Sequence, residues 1–146
     1  MMMIHTASWG SLEVAEDQIF HFPKGMPGFE DETEFALITL EEGMFSYLQS
    51  LKEKGLAFLL ADPFDYYPDY EFELPAADTE ELQIEAQVLV RCIISLKEQV
   101  EQSTINLLAP VILNPEKQVG KQIILHSSSY QTRHQLWTED SVKAGE

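Results

Sequence analysis

Basic residues are scarce in this chain. Its 146 residues include 9 lysines and arginines against 25 aspartates and glutamates, so the formal net charge is −16. This charge would repel a phosphate backbone at every distance inside the ionic screening length. The composition therefore argues against direct nucleic-acid binding, whereas a basic protein would be attracted.

Cysteine and long apolar runs are also scarce. The single Cys92 excludes an internal disulfide, and its place among the alternating apolar residues of Val88–Leu96 predicts a buried thiol rather than a reactive nucleophile. No segment approaches the roughly 18 apolar residues of a membrane span, and the first residues lack the features of a secretory leader. We expect a cytoplasmic protein that does not bind membranes and is monomeric when free.

Motifs for catalysis, metal binding and cofactor binding are missing. The chain has no nucleophile elbow, phosphate-binding loop or dinucleotide-binding motif. Its four histidines lack the spacing of a zinc site. We therefore expect no catalytic residue, no metal and no cofactor. One alternative is a hydrolase in which Glu71 and Glu73, two apart in an extended segment, form an acid and base pair. In so acidic a chain, such a pair is expected from composition alone.

Apolar residues recur at every second position, which predicts antiparallel strands. Strands are predicted at Ile4–Ser8, Ser11–Val14, Ile19–Phe22, Phe35–Leu40, Phe45–Leu51, Leu56–Ala61, Gln87–Leu96, Ser103–Leu113 and Lys121–His126. Pro110 marks a bulge or an edge because it cannot donate to a ladder. So many strands exceed one flat sheet of this length. The sequence therefore predicts an all-β, single-domain, antiparallel β-barrel-like fold.

Two departures from the strand pattern are predicted. Asp78 could cap a short helix that runs through Ile84, since a glutamate follows it three positions later. The barrel domain is expected to span residues 1–130. Residues 131–146 read as a polar and flexible C-terminal tail, in which Leu136 and Trp137 provide the strong apolar anchor.

The segment from Asp62 to Pro75 combines aromatic, acidic and proline residues. It lies in a stretch from residue 55 to residue 90 that has no lysine or arginine but nine carboxylates. Aromatic rings give a large contact area at low entropy cost, prolines stiffen the backbone, and carboxylates without counter-charges attract a basic partner. About half of the aromatic rings should pack into the core at alternate positions. The segment therefore predicts a docking surface for a protein.

At these residues the chain resembles the FliW family of flagellar assembly factors, which are small acidic bacterial proteins. The matching stretches are long and occur in order along nearly the whole chain: Phe20–Glu30, Ala61–Phe64, Tyr67–Phe72, Ser103–Pro110 and Gly120–His126. The resemblance implies a partner-switching regulator. Such a protein binds and antagonises the RNA-binding translational repressor CsrA, non-competitively, and also binds flagellin, which takes the factor away from the repressor.

Two surfaces are predicted from this resemblance and from the residues themselves. The proposed CsrA-binding residues are Asp65, Tyr67, Asp69, Tyr70, Glu71 and Phe72. The proposed flagellin-binding residues are Pro23, Lys24, Gly25, Pro27, Phe29 and Asn106, which lie in a rigid loop and at a strand edge. A flagellin chaperone with no link to translation is the remaining alternative.

Overall fold

Strands dominate the computed structural model, which describes residues 2–6, 10–39, 45–85, 87–95, 98–99, 102–125 and 129–136. The strands are β1 (Met2–Thr6), β2 (Gly10–Val14), β3 (Ile19–His21), β4 (Glu34–Thr39), β5 (Phe45–Ser50), β6 (Ala57–Ala61), β7 (Leu89–Ser95), β8 (Thr104–Ile105), β9 (Val111–Asn114), β10 (Val119–Gln122) and β11 (His134–Gln135). One α-helix, α1 (Ala76–Glu81), and two 3₁₀ helices, Glu16–Gln18 and Pro63–Asp65, complete the described elements.

Seven of the described strands close into a barrel. Their order is β7-β6-β5-β4-β3-β10-β9, and pairing of β7 with β9 closes the ring. Neighbouring strands are antiparallel except β3 and β10, which are parallel through the pair His21 and Val119. Closure removes the exposed sheet edges that would otherwise invite pairing with other chains. The predicted all-β, barrel-like fold with one short helix is confirmed.

The alternation of side chains along each strand supplies two buried faces. Phe35 and Leu60 point into the barrel, where they pack with phenylalanines and leucines and with Met26, which lies between β3 and β4. Their neighbours Ala36 and Ala61 belong to separate clusters on the outer surface. A strand that buries both faces loses much of the contrast between apolar and polar positions, as β9 does with four buried residues in succession.

The two outer clusters attach the rest of the chain to the barrel. The β1–β2 hairpin packs Ile4 and Val14 against Ala36 of β4. On another face, the segment that follows β6 and the C-terminal segment pack Tyr70 and Leu136 against β7 and β9. The barrel is therefore a scaffold on which irregular segments are held by apolar contacts.

Several predicted boundaries shift for local reasons. The predicted strand Ser103–Leu113 is wrong as one strand, because β8 ends at Ile105 and β9 begins only at Val111. Between them, the Asn106 side-chain oxygen accepts from the backbone N–H groups of Leu108 and Ala109 at 3.1 and 3.0 Å. Asparagine stabilises turns in this way. The strand therefore ends at Ile105, because the Asn106 side chain binds backbone N–H groups that a neighbouring strand would otherwise bind.

The helix also differs from its prediction. It begins at Ala76 after Pro75, and Asp78 lies inside it rather than at its N-cap. A proline before the first turn costs the helix no hydrogen bond, because the first helical N–H groups have no partner within the helix. Lys121 instead holds Asp78, with 2.5 Å between Nζ and Oδ1.

Packed structure continues beyond residue 130. β11 pairs with β8 through His134 and Ile105, and Leu136 is buried in the core, as its predicted role of apolar anchor requires. Described structure packed on the barrel thus continues through residue 136, past the predicted boundary at 130. Trp137 and the rest of the predicted tail lie outside the described residues, as do 41–44 of the predicted turn after β4.

Candidate functional site

The segment from Asp62 to Glu73, called the acidic loop below, follows β6 directly. An Asp62 carboxylate oxygen accepts from the N–H of Phe64 at 2.9 Å and caps the 3₁₀ helix that Pro63 begins. The N–H of Tyr67 then donates to the carbonyl of Pro63 at 2.8 Å, and the N–H of Tyr70 to the carbonyl of Tyr67 at 2.9 Å. These turns replace the extended backbone that two-residue alternation requires.

Tyr70 anchors the acidic loop to the barrel. Its side chain is 3% exposed, and its hydroxyl donates to the carbonyl of Leu107 at 2.8 Å. The ring meets that of Tyr130 edge to face, with 4.7 Å between centroids. Burial raises the pKa of this phenol above its ordinary value. The sequence-based prediction that Tyr70 lies at the centre of an exposed binding surface does not fit this position, because the residue supports the surface from beneath.

A second set of contacts ties the acidic loop to the C-terminal segment. The Tyr67 hydroxyl donates to the carbonyl of Gln135, and the N–H of Glu71 donates to the Tyr130 hydroxyl at 3.1 Å. His134 packs edge to face on Tyr67 at 5.7 Å. Sequence analysis misses His134 and Gln135 because they fall in the predicted flexible tail, and it assigns no contact to Tyr130 at the end of the predicted domain. The signal that could have revealed them is the spacing of Tyr130, His134 and Leu136 by even numbers of residues, which places them on one face of an extended segment.

His134 is held in its neutral form by its surroundings. Its Nε2 accepts from the N–H of Gln131 at 2.8 Å, which an imidazolium could not do. Burial also lowers the pKa of this imidazole below its ordinary value. At neutral pH His134 therefore adds no positive charge to the contact between the acidic loop and the C-terminal segment.

The acidic loop presents carboxylates to solvent. Asp65, Asp69 and Glu71 are exposed, and Phe72 is half-buried against Tyr70 at 5.5 Å. Phe64, which sequence analysis did not select, is 42% exposed. Within the described part of the chain, these three carboxylates form no ion pair, whereas Asp62 lies 3.9 Å from Arg91. The structure thus brings five predicted residues to one surface around the buried Tyr70.

The loop Pro23–Phe29 is a rigid turn between β3 and β4. Gly25 has a φ of +65°, and a Cβ there would lie 2.6 Å from the Cα of Glu30, so only glycine fits. Met26 is buried and fixes the loop to the barrel core. Pro23, Lys24 and Pro27 are exposed. Phe29 is 43% exposed and rests on Phe58 at 5.8 Å.

Asn106 does not extend this surface. Its backbone N–H bonds the carbonyl of Ile93 on β7, whereas Lys24 reaches toward α1 and lies 3.2 Å from Glu81. The carbonyl of Gln131 covers the predicted edge by accepting from the N–H groups of Leu107 and Leu108 at 3.2 Å. The C-terminal segment therefore covers the part of the predicted edge at Leu107 and Leu108.

The side chains considered as catalytic groups are either exposed to solvent or fully buried. Glu71 and Glu73 are both exposed. Cys92 is fully buried, as predicted, and burial raises the pKa of its thiol to about 12. Among the residues that the structure describes, no group of three or more His, Cys, Asp or Glu side chains could hold a metal. In the same residues, no helix is long and apolar enough to span a bilayer.

Comparison with known proteins gives one consistent result. A family profile described as "FliW protein" matches residues 3–136. A "Flagellar assembly factor FliW" of Desulfitobacterium hafniense (strain Y51) is 43% identical over 99% of this chain and 96% of the relative. The protein of the same name from Bacillus subtilis (strain 168) is 40% identical over 94% of this chain and 99% of its own. A solved structure, "Crystal structure of the flagellar assembly factor FliW", superposes with a TM-score of 0.88 at 37% identity and covers 94% of this chain and 99% of its own.

Proposed function

The chain belongs to the FliW family, and from that premise we propose that it works as a flagellar assembly factor by binding other proteins. The first partner is CsrA, the RNA-binding translational repressor, which this protein binds and antagonises. The second is flagellin, which competes for the protein and so liberates the repressor. The protein acts in the cytoplasm as a monomer when free, with no cofactor and no catalytic step.

The observation that carries the first part is the acidic loop. Its exposed carboxylates form no ion pair with the residues that the structure describes, and they lie on a backbone fixed by turns and by the buried Tyr70. A rigid acidic surface loses little entropy on binding, and it raises the association rate with a basic protein. Phe64, Tyr67 and Phe72 add partly exposed aromatic area of the kind that dominates interface energies.

The support for a second partner is the loop Pro23–Phe29. Two exposed prolines and a 43% exposed phenylalanine lie on a backbone that Gly25 and the buried Met26 hold in place. This surface is largely apolar and therefore differs in chemistry from the acidic loop. We assign flagellin binding to this loop. Asn106 is left out because its side-chain oxygen already accepts hydrogen bonds within its own turn.

A gel-shift titration tests the switch. Repressor is first bound to its target RNA, this protein is added, and flagellin follows. We expect RNA to be released at the second step and rebound at the third. Excess RNA should not restore binding in the second step if inhibition is non-competitive. Retention of RNA in a larger complex, or no response to flagellin, would contradict the switch.

Charge reversal tests the surface. Asp69→Lys and Glu71→Lys remove attraction at exposed positions, so each should weaken repressor binding at low salt without lowering stability. Glu13→Lys is the matched control, because Glu13 is an exposed carboxylate on the β1–β2 hairpin, which packs on a different face of the barrel. Equal binding by all three variants would show that the acidic loop is not the repressor surface. Flagellin binding with no repressor binding by the parent would favour a chaperone instead.

A further inference from the structure

A pocket of about 130 Å³ opens beside the acidic loop. It lies at the end of the barrel where β4 ends and β5 and β7 begin. Leu37, Phe45 and Leu89 give it apolar walls, and Asp62, Asp65 and Arg91 give it charged ones. The pocket is therefore amphipathic, with more acidic than basic groups.

The carboxylates of this pocket are incompletely neutralised. One oxygen of Asp62 accepts from the N–H of Phe64, while the other lies 3.9 Å from Nη1 of Arg91. The same Nη1 donates to the carbonyl of Val90 at 2.9 Å, so the guanidinium is only loosely engaged by Asp62. Asp65 forms no ion pair with any described residue. Two carboxylates thus face one guanidinium, and the pocket retains one unit of negative charge.

The size of the pocket suits the end of one side chain. An apolar cavity of about 150 Å³ holds a benzene molecule, so about 130 Å³ accepts a group of slightly smaller volume. Lysine and arginine bury their methylene stems along apolar walls while their charged ends meet polar groups. Leu37 and Leu89 could cover such a stem, and Asp65 with Asp62 could receive its charge.

We propose that this pocket receives one arginine side chain of a basic protein partner. A guanidinium can donate to two carboxylates at once through its planar fork, and it can stack on an aromatic ring such as Phe45. An aromatic side chain of the partner would instead desolvate Asp65 without pairing it, which is unfavourable. The identification of that partner with the repressor rests on the proposed function, whereas the chemistry of the pocket does not.

The test uses N-acetyl-arginine amide as a probe, titrated into the ¹⁵N-labelled full chain at low salt. N-acetyl-citrulline amide is the matched probe, because it keeps the shape and loses the charge. We expect saturable shifts of the Ser46, Asp65 and Leu89 amide signals with the arginine probe alone. Asp65→Asn should weaken probe binding about two- to fivefold, which is the range for an exposed ion pair. Glu13→Gln, which removes an exposed carboxylate on the β1–β2 hairpin outside the pocket lining, should leave it unchanged.

Three results would overturn the proposal: equal shifts with citrulline, no saturable shift with either probe, or equal loss in Asp65→Asn and Glu13→Gln. The outcome is separable from that of the proposed function. Repressor binding without arginine binding would reject the pocket and keep the function. Arginine binding at these residues without repressor binding would reject the function and keep the pocket.

Discussion

The same Tyr→Phe substitution should change the free energy of unfolding differently at two tyrosines whose hydroxyls are buried. The Tyr70 hydroxyl donates to the carbonyl of Leu107 at 2.8 Å inside the core. The Tyr66 hydroxyl is also buried, yet it has no hydrogen-bond partner among the described residues. Tyr→Phe removes one oxygen at either position and leaves the ring in place. The difference between the two variants therefore measures the hydrogen bond rather than packing.

The magnitudes follow from what each substitution leaves behind. Tyr70→Phe leaves the buried carbonyl of Leu107 without this donor, which costs about 1–3 kcal/mol of unfolding free energy. Tyr66→Phe removes an oxygen that already has no partner among the described residues, so its effect should be neutral or stabilising by up to about 1 kcal/mol. The Tyr66 ring should keep its packing on Phe45, whose centroid lies 6.4 Å away.

Urea denaturation followed by tyrosine and tryptophan fluorescence measures both changes. The midpoint should fall in Tyr70→Phe and stay or rise in Tyr66→Phe, with the slope unchanged in both. Tyr70→Phe should also bind the repressor as tightly as the parent under native conditions, because the residue is 3% exposed. Equal destabilisation by the two variants, or a neutral Tyr70→Phe, would refute the assignment of the hydrogen bond. If Tyr70→Phe instead loses repressor binding while its unfolding free energy is unchanged, Tyr70 belongs to the binding surface.

Three further predictions concern the scaffold. Lys121→Met removes the main partner that lowers the pKa of Glu81. This variant should therefore lose about 1 kcal/mol of unfolding free energy at neutral pH. A carboxylate whose pKa is lowered in the folded state stabilises that state at pH values above its ordinary pKa of 4.5. The parent should therefore lose this part of its unfolding free energy as the pH falls below 4.5. Lys121→Met should lose less over the same range in acid denaturation. Gly120→Ala places a Cβ 2.6 Å from a core phenylalanine ring and should cost about 1–3 kcal/mol. Gly55→Ala, whose Cβ would meet the Glu53 side chain at an ordinary contact distance of 3.5 Å, should be nearly neutral in the same urea experiment. Cys92 should react with a thiol reagent at pH 8 only in denaturant, since burial raises its pKa to about 12, and rapid labelling of the native protein would contradict its burial.

Much of the barrel was predictable because it rests on local alternation. β4, β5 and β6 differ from their predicted bounds by one residue at most at either end, as Glu34–Thr39 does from Phe35–Leu40. Each strand shows its pattern within five or six residues, which are neighbours in the sequence. Burial of Cys92 was predictable for the same reason.

The candidate site was less predictable because its residues do not form a strand. Asp62 caps a 3₁₀ helix, and the turns after it rotate successive side chains away from a two-residue period. Alternation therefore misplaced Tyr70, which the structure buries. Proline at the start of such a helix and aspartate before it are recognisable signals, and they were present in Asp62 and Pro63.

The sequence by itself determined the charge of −16, the all-β class, the family and the segments that carry exposed acids and prolines. Composition, periodicity and long motifs are properties of neighbouring residues, so they survive without coordinates. Tertiary structure alone decided which acidic-loop residues face solvent and where the pocket lies. Tyr67 meets Gln135 across 68 positions and Glu71 meets Tyr130 across 59. Contacts over such separations depend on how the closed barrel brings distant segments to one face, and no local pattern encodes that.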